Sequence, residues 1–242
     1  MALTHIEKLI AKAVHDYGMI QEGDRILIGA SGGKDSTLLA WALSRRRIWN
    51  APRFELAALR IASDVPGGGL DPAAAEHLAD LYARWNIPLE TMDVPVIGRL
   101  KEGRSMNCYW CATQRRTELI RYAMERGYNK IALGHHLDDI LATLLMNMVK
   151  KGETAAMVPR LKYDKYPIEI IRPLALVTER SIIAFAAREG WLSRTCTCAY
   201  GSDRERKKYQ DKLDALTSGK EEEKRNLYRS LSNIKSDYLP KP

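Results

Sequence analysis

Six consecutive residues near the N-terminus, 31–36 (SGGKDS), have types and spacing that suit anion binding. The run before them, RILIGA, is typical of a buried strand, and the run after them has the apolar spacing of a helix. A strand-to-helix junction presents free backbone N–H groups and the positive end of a helix dipole, which together attract anions. Two glycines let the backbone approach a ligand closely, and Lys34 adds a positive charge. The hexapeptide therefore predicts a phosphate site.

Two common nucleotide-binding motifs do not fit this hexapeptide. A P-loop requires Gly-x-x-x-x-Gly-Lys followed by Ser or Thr, whereas Asp35 follows Lys34 here and Ile28 lies five positions before Gly33. The dinucleotide-binding spacing Gly-x-Gly-x-x-Gly is absent from this stretch as well. The hexapeptide instead resembles the PP-loop of the N-type ATP pyrophosphatase superfamily. The resemblance implies a loop that grips the pyrophosphate of ATP, in an enzyme that transfers AMP to an oxygen of its substrate.

The residue types suit that chemistry. Cleavage between the α and β phosphates of ATP releases pyrophosphate, whose growing charge can be held by loop amides, loop hydroxyls and Lys34. Asp35, or Asp138 and Asp139 further along the chain, can hold Mg²⁺, a hard ion that prefers carboxylate and phosphate oxygens. The ATP-binding residues expected from the resemblance are Ala30, Ser31, Gly32, Gly33, Lys34, Asp35, Ser36, Arg60, Gly134 and Asp139. The expected catalytic residues are Asp35, Arg115, Asp138 and Asp139.

The cysteines form two close pairs, Cys108 with Cys111 and Cys196 with Cys198. A reducing compartment argues against structural disulfides, and pairs this close usually indicate a metal, a cluster or redox chemistry. A zinc site with cysteine ligands fits the spacing, and so does a dithiol pair or a cysteine that carries a persulfide. The cysteines alone therefore predict a metal or sulfur centre without fixing which.

A second motif surrounds the first cysteine pair. Residues 107–148 read NCYWCATQRRTELIRYAMERGYNKIALGHHLDDILATLLMNM, with Cys-x-x-Cys, the basic pair Arg115-Arg116, and then Gly-His-His-x-Asp-Asp. This pattern resembles the tRNA 2-thiocytidine synthetase family (TtcA). The resemblance runs from Arg25 to about Leu239 and includes the segments RPLALVTERSI and YRSLSNIKSDYL.

The resemblance implies ATP-dependent tRNA thiolation, in which the C2 oxygen of a cytidine is adenylated and then replaced by sulfur. The family uses a [4Fe-4S] cluster held by three cysteines, and with a PP-loop present we prefer this cluster to zinc. Cys108 and Cys111 would be two ligands, and we favour Cys198 over Cys196 as the third because the Gly-Ser that follows it matches the family. The second pair departs from the family pattern, since it is Cys-x-Cys rather than Cys-x-x-Cys. Arg115 is expected beside the cluster, where it can hold the substrate carbonyl or the adenylate phosphate.

Two other functions are compatible with these motifs. The first keeps the adenylation but acts on another tRNA base, such as a 2-thiouridine position, or on a small molecule. The second is a non-enzymatic, zinc-containing nucleic-acid-binding protein. The intact PP-loop opposes this second reading, because a binding protein does not need it. We therefore take tRNA thiolation as the leading hypothesis.

Two histidines and one aspartate lie close to the motifs in sequence or in the expected site. His135 and His136 are adjacent, so their side chains point in different directions and rarely bind one metal together. We expect His135 to lie near ATP and His136 to begin a helix. Related enzymes often place an acidic residue near the ATP phosphates where this chain has Ala62, and Asp64 is the candidate to replace it.

The elements that must position these residues alternate between strands and helices. Such alternation implies a parallel sheet with helices on both faces and a ligand at the carboxyl ends of the strands. We therefore predict an α/β, doubly wound, mostly parallel five-stranded sheet with a short helical C-terminal extension; the PP-loop resemblance implies an adenine nucleotide alpha hydrolase-like fold. The predicted strands are Ile26–Ala30, Glu55–Ile61, Pro88–Val94, Lys130–Leu133 and Ile168–Ile171. The predicted helices are Asp35–Arg46, Pro72–Trp85, Ala112–Arg126, Asp138–Val149 and Thr178–Glu189.

The length, the charge and the N-terminal sequence lead to predictions of the domain boundaries, the partner and the location of the protein. We expect an N-terminal helix over 1–24, a PP-loop domain over 25–194 and a cysteine-containing helical tail over 195–242. The net charge of +8 favours a nucleic-acid partner, here tRNA. The N-terminal stretch reads as an amphipathic helix rather than a secretory signal, so we expect a cytoplasmic protein without membrane contact. The resemblance implies a homodimer, and sulfur is expected from a cysteine desulfurase or from free sulfide.

Overall fold

The structure is a computed structural model that describes residues 3–48, 52–191 and 205–239. The described residues fall into two compact units, which are discontinuous in sequence. The first unit contains 3–48, 52–136 and 158–191, and the second contains 137–157 and 205–239. The boundaries predicted at residues 24 and 194 stay a prediction.

The first unit is built on one sheet of six strands in the order β3-β2-β1-β4-β6-β5. All neighbouring strands are parallel except β5, which pairs with β6 in the antiparallel sense. The strands are β1 (Asp24–Gly29), β2 (Phe54–Ser63), β3 (Leu89–Val94), β4 (Lys130–Ala132), β5 (Arg160–Lys162) and β6 (Glu169–Ile171).

Helices cover both faces of this sheet, as strand β1 illustrates. Ile26 and Ile28 belong to one hydrophobic cluster and Leu27 to another, and all three side chains are fully buried. Successive residues of a strand point to opposite faces, so each face of the sheet has its own core. The helices of the first unit are α1 (His5–Asp16), α2 (Lys34–Ile48), α3 (Pro72–Arg84), α4 (Cys108–Glu125) and α6 (Glu179–Arg188).

The predicted fold class is confirmed, and two details differ from the prediction. Strand β5 makes the sheet six-stranded instead of five-stranded, because its sequence Arg-Leu-Lys holds a single apolar residue and gives no recognisable strand pattern. Helix α4 begins at Cys108 rather than Ala112. The side chain of Asn107 accepts a hydrogen bond from the backbone N–H of Trp110 and so starts the helix one turn earlier.

The second unit consists of helices packed around leucine side chains. Its helices are α5 (Leu137–Lys151), α7 (Glu205–Thr217) and α8 (Glu221–Ser230), followed by a 3₁₀ turn at Ser236–Tyr238. Leu137, Leu141, Leu144 and Leu213 form its core. None of the helices within the described residues combines the length and the hydropathy that a membrane span requires.

Candidate active site

The centre of the sheet brings the two predicted nucleotide motifs together. Strands β1 and β4 are parallel neighbours, with Ile28 opposite Ala132. The chain order reverses here, because β2 and β3 continue on one side of β1 while β4 and β6 continue on the other. In open α/β sheets, ligands bind at such a switch point, outside the carboxyl ends of the strands. The loops after β1 and β4 are the predicted phosphate loop and the Gly-His-His turn.

The phosphate loop is closed by hydrogen bonds among its own residues. The Ser31 and Ser36 hydroxyls lie 3.0 Å apart, and the backbone N–H of Gly33 donates to Ser31 Oγ over 3.3 Å. The Ser36 hydroxyl also lies 3.1 Å from the carbonyl oxygen of Gly33. Gly32 has a φ of +80°, a conformation that suits glycine. Hydrogen bonds among the loop's own residues therefore define its shape.

Lys34, the first residue of α2, is buried beside two carboxylates. Its exposed fraction is 6%, and its ammonium lies 3.3 Å from Asp35 Oδ1 and 3.0 Å from Glu179 Oε1. Burial lowers the pKa of Lys34, but the two carboxylates outweigh burial and the pKa lies above its ordinary value. Lys34 is therefore charged at neutral pH, as phosphate binding requires.

Gly134 packs directly against the start of α2. A Cβ at this position would lie 3.0 Å from the Asp35 carbonyl carbon and 3.0 Å from the Ser36 amide nitrogen. Both are backbone atoms, which cannot move aside as a flexible side chain could. The absence of a side chain at Gly134 thus lets the second motif contact the first.

We expect Gly134→Ala to weaken ATP binding by at least about tenfold and to destabilise the fold by about 1–3 kcal/mol, because the added methyl must push the phosphate loop away. Equilibrium binding of ATP and urea unfolding measure the two effects. Gly69→Ala is the matched control, since a Cβ at Gly69 meets nothing within 4 Å. Unchanged ATP affinity in Gly134→Ala would contradict this contact.

Arg172 fixes the histidine that follows Gly134. Its Nε–H donates to Nδ1 of His135 over 3.3 Å, and a second guanidinium N–H donates to the carbonyl of Val158. This hydrogen bond orients the His135 ring. His136 is 3% exposed, which suits a buried residue next to a helix start.

The two aspartates of the second motif are placed differently. Both lie in the first turn of α5, in the second unit. Asp138 is 4% exposed, and its carboxylate lies 2.6 Å from the ammonium of Lys224. Asp139 is only half-buried, and its backbone carbonyl accepts from the Thr143 hydroxyl. The predicted catalytic roles of Asp138 and Asp139 stay predictions.

Cys108 and Cys111 lie in the first turn of α4, and both thiols are half-buried. The indole N–H of Trp110 donates to the carbonyl of Val96 over 2.9 Å, which anchors the turn on the loop after β3. Tyr109, between the same cysteines, is 82% exposed. Within residues 3–48, 52–191 and 205–239, no three His, Cys, Asp or Glu side chains come together as a metal site. Cys196 and Cys198 lie outside the described residues.

Arg115 shares a face of α4 with the cysteine pair, because it lies four residues after Cys111. It is half-buried, and the neighbouring Arg116 is exposed. Among the described residues, neither arginine pairs with a carboxylate, in contrast to Arg121 on the same helix, which binds Glu118 at 2.6 Å. The two arginines therefore present positive charge near the cysteines.

Arg60 of β2 and Asp64, just after β2, contact neighbouring segments of the first unit. Arg60 is half-buried in β2, and its Nε lies 3.5 Å from the Thr91 hydroxyl on the neighbouring strand. Both carboxylate oxygens of Asp64 accept backbone N–H groups, from Ile97 over 2.9 Å and from Gly98 over 3.0 Å. Burial raises the pKa of Asp64, but these donors outweigh it and hold the pKa below its ordinary value. Asp64 thus caps the loop after β3.

Sequence reasoning overlooked three charged residues that organise these motifs. Glu179 contacts Lys34, Arg172 contacts His135, and Lys224 contacts Asp138. Glu179 and Arg172 lie in RPLALVTERSI, a segment that resembles the TtcA family. The resemblance points to this segment but does not show which residues its charged side chains contact. Lys224 lies in a mixed-charge run that reads as a solvated helix face.

Comparison with known proteins gives the family of this chain. A family model described as a PP-loop domain matches residues 2–193. The tRNA-cytidine(32) 2-sulfurtransferase of Geobacter sulfurreducens is 37% identical over 237 residues, which are 97% of this chain and 91% of that protein. The enzyme of the same name from Legionella pneumophila (strain Paris) is 34% identical over 229 residues, covering 94% and 80%.

Among solved structures, the U34-tRNA thiolase NcsA from Methanococcus maripaludis, with its [4Fe-4S] cluster, is similar with a TM-score of 0.73. It is 23% identical and the match covers 95% of this chain and 80% of that chain, so it supports the fold. The chain belongs to the PP-loop family and, within it, to the family of tRNA-cytidine(32) 2-sulfurtransferases.

Proposed function

We propose that this protein is an ATP-dependent tRNA 2-sulfurtransferase that converts a cytidine, at position 32 of its tRNA, into 2-thiocytidine. The observation that carries the proposal is the match to tRNA-cytidine(32) 2-sulfurtransferases over 97% of the chain. The buried Lys34 in a closed phosphate loop at the switch point of the sheet supports the ATP part of the reaction.

The first half of the reaction is adenylation. The C2 oxygen of the cytosine attacks the α-phosphorus of ATP, the bond from that phosphorus to the bridging oxygen breaks, and pyrophosphate leaves. Lys34, the loop amides and the hydroxyls of Ser31 and Ser36 hold the negative charge that gathers on pyrophosphate. The adenylate makes the C2 oxygen a good leaving group, so sulfur can displace it as part of AMP.

Mg²⁺ would be held near the loop by carboxylates. Asp35 fits this role, because its side chain is 31% exposed and lies next to Lys34 at the loop end of α2. Asp139, which is half-buried, is the second candidate. Asp138 is less suited, since its side chain is 6% exposed, against 31% for Asp35, and its carboxylate lies 2.6 Å from the ammonium of Lys224. Bound there, Mg²⁺ would neutralise phosphate charge.

The cysteine pair fits an iron-sulfur cluster. Cys108 and Cys111 are three residues apart in one helical turn and are half-buried, so both thiolates can face one group that is partly shielded from water. We assign the third ligand to Cys198, with Cys196 as the weaker candidate. A [4Fe-4S] cluster held by these three cysteines would supply an iron site for the sulfur chemistry. Arg115, on the same face of α4, can bind the adenylate phosphate or the substrate carbonyl.

Positive charge near the cysteines suits a nucleic-acid partner. The chain carries a net charge of +8, and Arg115 and Arg116 lie beside the cysteines without acidic partners among the described residues, which suits a tRNA substrate. We propose a homodimer that acts in the cytoplasm, where tRNA is found. The sulfur donor is a cysteine desulfurase or free sulfide.

The test is a thiolation assay on protein purified and reconstituted without oxygen. With ATP, Mg²⁺, sulfide and tRNA, we expect release of AMP and pyrophosphate, and 2-thiocytidine on mass spectrometry of the digested tRNA. The matched substrate is the same tRNA with uridine at position 32, which should not be thiolated. Thiolation of uridine or of another position would favour the alternative substrates, and no AMP release with either tRNA would overturn the proposal.

A further inference from the structure

Glu179 reaches the phosphate loop from a separate helix. It is the first residue of α6, and its Oε1 lies 3.0 Å from the ammonium of Lys34. The Lys34 side chain is 8% exposed and the Glu179 side chain 36% exposed, so a partly exposed carboxylate meets a buried ammonium. This carboxylate is 145 residues away in sequence from the lysine that it contacts.

The contact with Glu179 occupies one of the hydrogen-bond donors of the Lys34 ammonium. A lysine ammonium carries three N–H donors. Asp35 and Glu179 accept two of them in the structure, at 3.4 Å and 3.0 Å. Among the residues that the structure describes, Lys34 has no third acceptor, so one donor is left for a phosphate oxygen, and the two carboxylates define its direction. A lysine without Glu179 would keep its charge close to Asp35 but would be free to rotate.

The contact is held by rigid elements. Lys34 and Glu179 each begin a helix, and α2 packs against α6 through Trp41 and Phe185, whose ring centroids lie 4.7 Å apart. Thr178 caps α6 by accepting the backbone N–H of Ser181. A carboxylate in the first turn is also favoured by the helix dipole. Neither partner therefore depends on a flexible surface loop for its position.

We propose that Glu179 is a positioning residue for ATP cleavage, which holds the Lys34 ammonium so that its remaining N–H meets the phosphates of ATP. The inference rests on the proposed function, because it requires ATP at the phosphate loop. Glu179 acts through Lys34. It places the cation for the charge that develops on pyrophosphate, so its removal affects turnover more than ATP binding.

The test compares Glu179→Ala and Glu179→Gln with the wild type. For Glu179→Ala we expect kcat for tRNA-dependent AMP formation to fall by about 10- to 100-fold, with a smaller change in KM for ATP. Glutamine keeps a carbonyl oxygen that can accept from Lys34, so Glu179→Gln should recover most of kcat. Glu189→Ala is the matched control, since Glu189 follows the same helix and pairs with the exposed Arg188 at 3.0 Å.

A second measurement tests the contact between Glu179 and Lys34 itself. The labelling rate of Lys34 by an amine-reactive reagent, followed by peptide mass spectrometry, should rise in Glu179→Ala and stay near the wild-type rate in Glu179→Gln, because alanine releases the ammonium whereas the glutamine carbonyl still accepts from it. ATP should protect Lys34 in the wild type. Wild-type kcat in Glu179→Ala, or a loss that Glu179→Gln does not recover, would overturn the inference. A folded wild type that binds no ATP would instead overturn the proposed function, and this inference with it.

Discussion

Cys111→Ser is expected to abolish tRNA thiolation while ATP binding stays at the wild-type level. The thiol lies in the first turn of α4, three residues from Cys108, and serine keeps the helix but removes the thiolate that iron requires. Changes to residues that only support metal ligands cost about 10- to 100-fold in affinity, so loss of a ligand should exceed that. Iron and acid-labile sulfide content of anaerobically reconstituted protein is the measurement, together with the visible absorption spectrum.

Two sets of variants make this result specific. Tyr109→Phe is the control, because this side chain lies between the cysteines on the same turn and is 82% exposed. It should keep iron, sulfide and activity. Cys108→Ser should behave like Cys111→Ser, and Cys198→Ser should lose the cluster where Cys196→Ser keeps it. Stoichiometric zinc without iron, or full iron in Cys111→Ser, would contradict the cluster assignment.

Lys224→Met is expected to lower the free energy of unfolding by about 3–5 kcal/mol. The Lys224 side chain is 7% exposed, and its ammonium lies 2.6 Å from both Asp138 and Asp214. Burial lowers the pKa of Lys224, but the two carboxylates outweigh it and the pKa lies above its ordinary value. Methionine fills the volume but leaves the Asp138 carboxylate, itself 6% exposed, without its cation. Urea unfolding of the full chain measures the change.

An exposed pair in the same unit gives the control. Lys207 and Asp211 lie 2.8 Å apart with side chains 67% and 62% exposed, so Lys207→Met should cost at most about 1 kcal/mol. The double variant Lys224→Met with Asp138→Leu should recover part of the loss, because no buried charge is then left alone. A Lys224→Met change no larger than that of Lys207→Met would show that this ion pair does not stabilise the unit.

Much of the sheet and the phosphate loop could be predicted because their determinants are local. The apolar run of β1, the two glycines of the loop and the alternation of strands and helices are all readable over short stretches. The predicted start of helix α4 at Ala112 is one turn too late, because the N-cap Asn107 sets the start; asparagine is common at N-caps. Strand β5 is defined by its partner β6 rather than by its own residues.

The ion pairs of Lys34 with Glu179 and of Asp138 with Lys224 could not be predicted, because they join distant parts of the chain. Glu179 and Lys34 are 145 residues apart, and Lys224 and Asp138 are 86 residues apart. A sequence shows that such residues are charged but not which of them meet. Asp64 illustrates the same limit: its carboxylate suits a metal equally well, and only the structure places the N–H groups of Ile97 and Gly98 against it.

The pairing of Asp138 with Lys224 also determines which of the two units can fold first during translation. Helix α5 is made long before α7 and α8, yet these three helices form one unit. A nascent chain that has reached residue 204 contains every strand of the sheet, whereas Asp138 has neither Asp214 nor Lys224 nearby. The sheet unit can therefore fold while translation continues, but the helical unit has to wait for its last helix. A chain that stops before Lys224 would thus contain every strand of the sheet, whereas the buried Asp138 carboxylate on α5 would lack its cation; such a chain is a natural target for chaperones and proteases.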